Sequence, residues 1–140
     1  MNKTIVIKAR WLILSENKIF LCKLKRQGFY CLPGWTLEPW ELVKQTLERE
    51  FVEELWTIPV IWKLAYINEF VNQFWWTTLD MWYFIENVED FKREIDLSKT
   101  THWFELSEVW FYDLDKLDNY KPENLKEIIQ IIKNWEIELN

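Results

Sequence analysis

The stretch Gly34-Trp35-Thr36-Leu37-Glu38-Pro39-Trp40-Glu41, followed after seven residues by Arg49-Glu50-Phe51-Val52-Glu53-Glu54, decides how this chain is read. From Glu41 to Leu55, Leu42, Thr46, Leu47, Phe51 and Leu55 recur at helical spacing, with Glu and Lys elsewhere. On that helix, positions 50, 53 and 54 are i, i+3 and i+4, so three carboxylates share one face. Like charges so placed repel and cost stability unless a cation sits among them. Hard oxygen ligands at this density suit Mg²⁺ or Mn²⁺, which bind carboxylates and phosphate oxygens together. A solvated acidic helix face is the commoner explanation of an isolated Glu triplet, so the surrounding residues have to decide.

Before the helix the chain reads as strands. Thr4 to Lys8 and Leu12 to Leu14 are rich in β-branched and aliphatic residues, and Ser15-Glu16-Asn17-Lys18 is a turn. Ile19 to Lys25 runs back as a strand, and Phe29 to Leu32 is a short one ending at Pro33-Gly34. After the helix, Ile58 to Val71 and Thr77 to Glu86 are two long strands joined by Asn72-Gln73-Phe74-Trp75-Trp76. Glu89 to Lys99 is a charged, exposed connection, and Phe104 to Tyr112 is a further strand. Pro122 to Asn134 closes the chain as an amphipathic helix, with Pro122 in its first turn and Leu125, Ile128, Ile129, Ile131 and Ile132 as its apolar residues. With no internal repeat or linker, a single mixed α/β domain over residues 1–140 is expected.

Composition narrows the function. Hydrophobic residues make up 49% and charged residues 29%, a globular balance. No apolar run is long enough to span a membrane, and the first residues lack a secretory signal. Cys22 and Cys31 have neither CxxC spacing nor a partner cluster, as in a reduced, cytoplasmic protein. The net charge of -6 offers no basic stripe to a nucleic acid. A small phosphorylated ligand held through metal ions remains compatible with that charge.

The charged residues resemble the signature of the Nudix hydrolases: Gly, five residues, Glu, seven residues, then Arg-Glu-aliphatic-x-Glu-Glu-x-Gly-aliphatic. Glu41, Arg49, Glu50, Glu53 and Glu54 stand at the required spacings, with Phe51 in the aliphatic place. Trp35 and Trp56 occupy the two glycine positions, and Thr57 stands where an aliphatic is expected. Leu32-Pro33-Gly34 and Trp40-Glu41 are similar to the family's Leu-Pro-Gly-Gly and Gly-Glu phrases.

The resemblance implies a Nudix-like α/β/α sandwich with a mixed β-sheet. It also implies divalent-metal-dependent hydrolysis of a phosphoanhydride bond in a nucleoside diphosphate derivative, either a nucleotide or a nucleotide sugar. Glu50, Glu53 and Glu54 would bind Mg²⁺ or Mn²⁺, with the backbone carbonyl of Trp35 as a further ligand. Arg49 and Glu41 would orient those carboxylates, and the metals would help activate water. The general base is a box glutamate in some members and lies on a later loop in others; Glu105 and Glu108 are the later candidates here. His102, the one histidine, reads as an ordinary loop residue. Two other readings stay open: a catalytically weak Nudix-like domain that binds a nucleotide ligand, and an aromatic carbohydrate or lipid binder whose binding ignores metal. Substrate identity and the choice between monomer and homodimer are not legible.

One anomaly runs through the chain. At about 7% glycine a chain of this length carries roughly ten, yet only Gly28 and Gly34 are present, beside eleven tryptophans. Trp35 and Trp40 flank the acidic loop, Trp56 follows the helix, Trp75-Trp76 fills a hairpin turn and Trp135 follows Asn134. Each is a place where glycine has a physical use and tryptophan is a poor substitute. Trp11, Trp62, Trp103 and Trp110 are ambiguous, and Trp82 reads as genuine. Some genetic codes read as glycine a triplet that others read as tryptophan. The expectation is that many of these positions are glycine in the protein made by its own organism. Genuine tryptophans on an aromatic binding surface are the alternative, but they leave the turn and cap positions unexplained.

Overall fold

A computed structural model describes residues 4–26, 28–55, 57–93, 97 and 106–139, without the side chains of 24, 50–55 and 136–139. Ile5–Leu12 (β1) lies inside a mixed sheet, with apolar side chains buried on both of its faces. Ala9 and Trp11 are buried on one face and Leu12 on the other. Gly34–Thr36 (β5) pairs antiparallel with β1 on one edge, and Thr77–Ile85 (β7) pairs parallel on the other. Ile61–Val71 (β6) completes the order β5-β1-β7-β6 through an antiparallel hairpin with β7. As the outer strand, β6 carries exposed Trp62, Leu64, Ile67, Phe70 and Val71.

A second sheet is built on Lys18–Leu24 (β3). Leu14–Ser15 (β2) and Tyr30–Cys31 (β4) pair with one edge of β3, and Leu106–Asp113 (β8) pairs with the other, all antiparallel. The first sheet is mixed, as expected, and β2, β3, β4 and β8 form a separate antiparallel one.

Two helices cover opposite faces. Val43–Leu55 (α1) buries Leu47 with Ala9, Trp11, Ile13, Phe20 and Phe111. Leu125–Leu139 (α2) buries Leu125, Ile128, Ile129 and Ile132 against Leu12, Ile19, Leu21 and Trp82. Successive residues of β3 alternate between these cores, Ile19 and Leu21 on the α2 side and Phe20 on the α1 side, as a strand's period of two requires. The result is the expected α/β/α sandwich.

Several details differ from the sequence expectations. Ile131 points to solvent, outside the apolar stripe of α2. Pro122 precedes α2 rather than standing in its first turn, and its carbonyl accepts the Leu125 N–H at 3.0 Å. Trp135 lies within α2, so the helix passes the stop expected there. The charged connection after β7 is not wholly exposed: Val88–Phe91 forms a 3-10 turn that buries Phe91 against Phe20, ring centroids 5.9 Å apart. Trp82 is fully buried, as a genuine core residue should be, although its indole N–H lacks a hydrogen-bond partner.

Candidate functional site

The acidic loop is fastened to β1. The Trp11 N–H donates to the Pro33 carbonyl and the Leu37 N–H to the Ile7 carbonyl, both at 2.9 Å. Between them Gly34 lies opposite Arg10. A Cβ on Gly34 would come within 2.4 Å of the Ala9 carbonyl oxygen and 2.9 Å of the Arg10 Cα, so backbone approach requires glycine there. Arg10 reinforces the junction. Its Nε donates to both Asp80 oxygens at 2.8 and 2.6 Å, and its Nη1 donates to the Leu32 carbonyl at 2.8 Å. Burial opposes the Arg10 charge, but the Asp80 carboxylate outweighs it and raises the pKa above its usual value. Trp35 stands opposite Ala9 in the β1–β5 ladder, and its ring centroid is 4.9 Å from that of Trp11.

The start of α1 is set by side chains that reach backwards. Gln45 Oε1 accepts the Leu42 N–H at 3.1 Å, half of a capping box. Glu41 Oε1 accepts the Glu38 N–H at 3.0 Å, closing the turn before the helix. Arg49, two turns along, donates from Nη2 to Glu41 Oε2 at 2.9 Å and from Nε at 3.2 Å. The Glu41 side chain is 10% exposed and that of Arg49 43%. The Glu38 N–H, and then the Arg49 guanidinium, hold the Glu41 carboxyl below its ordinary range.

Positions 50, 53 and 54 follow Arg49 on the last two turns of α1, spaced as i, i+3 and i+4. The side chains of Glu50, Glu53 and Glu54 lie outside the described set, as do Trp56, His102 and Glu105 altogether.

Glu108 sits elsewhere. On β8, Val109 and Phe111 face the α1 core and Tyr112 the α2 core, so strand alternation puts Glu108 on the α2 face. Its carboxylate accepts the Tyr30 hydroxyl, and the Tyr112 hydroxyl at 3.2 Å. The two phenol rings are 4.6 Å apart. The bond to Glu108 is the first cause that raises the Tyr30 pKa; burial, then the Glu108 charge, raises that of Tyr112. Glu41 and Arg49 are thus brought together beside the box helix, and Glu108 is not brought to the face that α1 covers.

The Arg10–Asp80 pair was missed from sequence. A signal existed: Asp80 falls at a buried position of a strand whose other buried positions are Thr78, Trp82 and Ile85, and a buried carboxylate needs a cation. A cleft of about 570 Å³ lies just past α1, lined by Thr57, Ile58, Glu89, Asp90 and Arg93, with Arg93 donating to the Thr57 hydroxyl. It does not include the Glu41–Arg49 pair.

No family model and no curated protein matches the chain by sequence. Solved structures match by shape. A MutT protein from Methanosarcina mazei Go1 superposes with a TM-score of 0.76 at 19% identity, over 97% of this chain and 98% of that one. A MutT NUDIX hydrolase from Burkholderia pseudomallei gives 0.73 at 17% identity, over 91% and 98%. An ADP-ribose pyrophosphatase from Streptococcus suis 89-1591 gives 0.63 at 18% identity, over 92% and 90%. The chain therefore has the Nudix fold, over nearly its whole length. Among the described residues, no helix is long and apolar enough to cross a membrane.

Proposed function

We propose that the protein is a Nudix-type pyrophosphohydrolase that uses Mg²⁺ or Mn²⁺ to cleave a phosphoanhydride bond in a nucleoside diphosphate derivative. The observation that carries this reading is the Arg49–Glu41 pair at the start of α1. In a chain with this fold, it joins the first and second charged positions of the acidic signature, and the next three positions follow on the same helix. Glu50, Glu53 and Glu54 would hold the cation, with the Trp35 carbonyl as a further donor; three carboxylates and a carbonyl oxygen are a hard-oxygen set of the right chemistry. Once bound, the metal supplies charge neutralisation at the diphosphate and a more acidic water.

The chain's own residues prepare that site. Arg49 and Glu41 tie the loop before α1 to the helix that carries positions 50, 53 and 54. Arg10 and Gly34 hold the backbone that leads to Trp35 against β1. Of the two later candidates Glu108 is engaged by two phenols on the other face and Glu105 lies outside the described residues, so removal of a proton from the attacking water is assigned to a box glutamate. Ligand binding without turnover is the second reading, favoured by the Trp35 indole in a place that the resemblance gives to glycine.

The test is hydrolysis of a panel of nucleoside diphosphates, dinucleotides and nucleotide sugars, with Mg²⁺ and with excess chelator. Metal-dependent release of a phosphorylated product is expected. Binding without turnover supports the second reading, and binding that ignores metal overturns both.

A further inference from the structure

Cys22 on β3 and Cys31 on β4 are direct partners in an antiparallel ladder. Directly opposed residues in such a ladder have Cα atoms about 4.5–5.5 Å apart, inside the roughly 4.4–6.8 Å that a disulfide tolerates. Their sulfurs are 3.8 Å apart and both thiols are free. A bond of about 2.05 Å therefore needs side-chain rotation rather than rearrangement of the sheet. The two are not equivalent: Cys22 is 7% exposed, while Cys31 is only partly buried. Arg10 and Lys8 add positive charge beside Cys31, opposed by Asp80. The hydrogen bond between the two thiols, and then these cations, bring Cys31 down to about 7 against the opposition of burial; the same contact and burial push Cys22 up.

We propose that Cys22 and Cys31 form a cross-strand dithiol that reacts with small-molecule disulfides and closes to an intramolecular disulfide. Cys31 is the entry thiol. Its thiolate attacks one sulfur of the small disulfide, the S–S bond breaks, and one small thiolate leaves. Cys22 then gives up its proton and attacks the Cys31 sulfur, expelling the second small thiolate, which is protonated. The protein dithiol is oxidised by two electrons and the small disulfide is reduced to two thiols. No metal and no hydrolytic activity is involved, so the proposal stands or falls apart from the hydrolase reading. Its location has a consequence for the acidic loop: Cys31 directly precedes Leu32, whose carbonyl Arg10 holds.

Oxidised glutathione is the probe, incubated with the whole chain before denaturation, thiol alkylation and intact-mass measurement. The parent is expected to lose two hydrogen masses, take no alkylating agent and stay monomeric on a non-reducing gel. Cys22→Ser should instead trap one glutathione on Cys31, because the resolving thiol is gone. Cys31→Ser should react at least tenfold more slowly, leaving only the buried Cys22. A parent that carries two glutathiones, stays fully alkylatable at equilibrium, or forms covalent dimers overturns the proposal.

Discussion

Arg49 and Glu41 close on one another at the entrance to α1, Nη2 to Oε2 at 2.9 Å, with the carboxylate nearly buried and the guanidinium half in water. The pair joins the loop before the helix to its second turn. Moving either partner therefore moves the start of the helix relative to the residues that follow.

Stability at low pH follows from this pair. Glu41 has a lowered pKa in the folded chain, so its contribution is fully present above the unfolded carboxyl value of about 4.3 and is lost as pH falls through the lowered folded value. Thermal unfolding of the parent and of Glu41→Gln, measured from neutral pH downwards, should converge only below the ordinary carboxylate range. A gap that persists unchanged into strong acid would assign the difference to packing instead.

Glu53→Gln and Glu54→Gln preserve shape and remove charge. Each is expected to lower Mg²⁺-supported turnover by well over tenfold, about 1.4 kcal/mol or more. Arg49→Ala should act more mildly, through misplaced carboxylates. Parent rates in both Gln variants would reduce the acidic face to a solvated one.

Glu108→Gln separates the candidate bases. Loss of a general base typically costs about 10²–10⁴-fold, whereas the structure commits this carboxylate to Tyr30 and Tyr112. Turnover within tenfold of the parent is expected. A hundredfold loss with unchanged metal affinity would return the role to Glu108.

The tryptophan excess makes a prediction about the gene. Trp75 has φ of 63° in the β6–β7 loop, where Asn72 Oδ1 accepts the Phe74 and Trp76 N–H groups, and it is 89% exposed. A non-glycine residue in the left-handed region costs about 1–2 kcal/mol, and this indole recovers little of that by burial. Trp75→Gly should raise stability in denaturant titration. The codons at Trp35, Trp40, Trp56, Trp75, Trp76 and Trp135 should share one triplet read differently by different codes, and protein from its own organism should weigh less than the printed chain. Ordinary tryptophan codons, or a native mass with eleven tryptophans, would refute the idea. Trp40 and Trp135 are also exposed, but neither has positive φ, and Trp135 within α2 no longer has a stop-signal argument.

Local pattern carried most of the fold. The helical period announced α1 and α2, and runs of β-branched residues announced β6 and β7, because those features depend on neighbours along the chain. What escaped depends on distant partners. Arg10 meets Asp80 across 70 positions, and β3 finds β8 only after the whole middle of the chain has been placed. Phe91 looked solvated amid charges, yet Phe20 gives it a core contact that its own segment could not reveal. The charged spacing of the candidate site was legible, whereas the Arg10–Asp80 bracing behind its loop was not.

The outer strand β6 governs how the protein behaves in concentrated solution. Among the described residues its far edge has no strand partner over eleven residues, and it carries exposed Trp62, Leu64, Ile67, Phe70 and Val71. Such an edge is a template for intermolecular pairing, and only Lys63 and Glu69 interrupt it with charge. Precipitation on warming or concentrating should therefore begin there, before the cores open. A lysine at Ile67, itself in solvent, would supply the missing gatekeeper without touching either core.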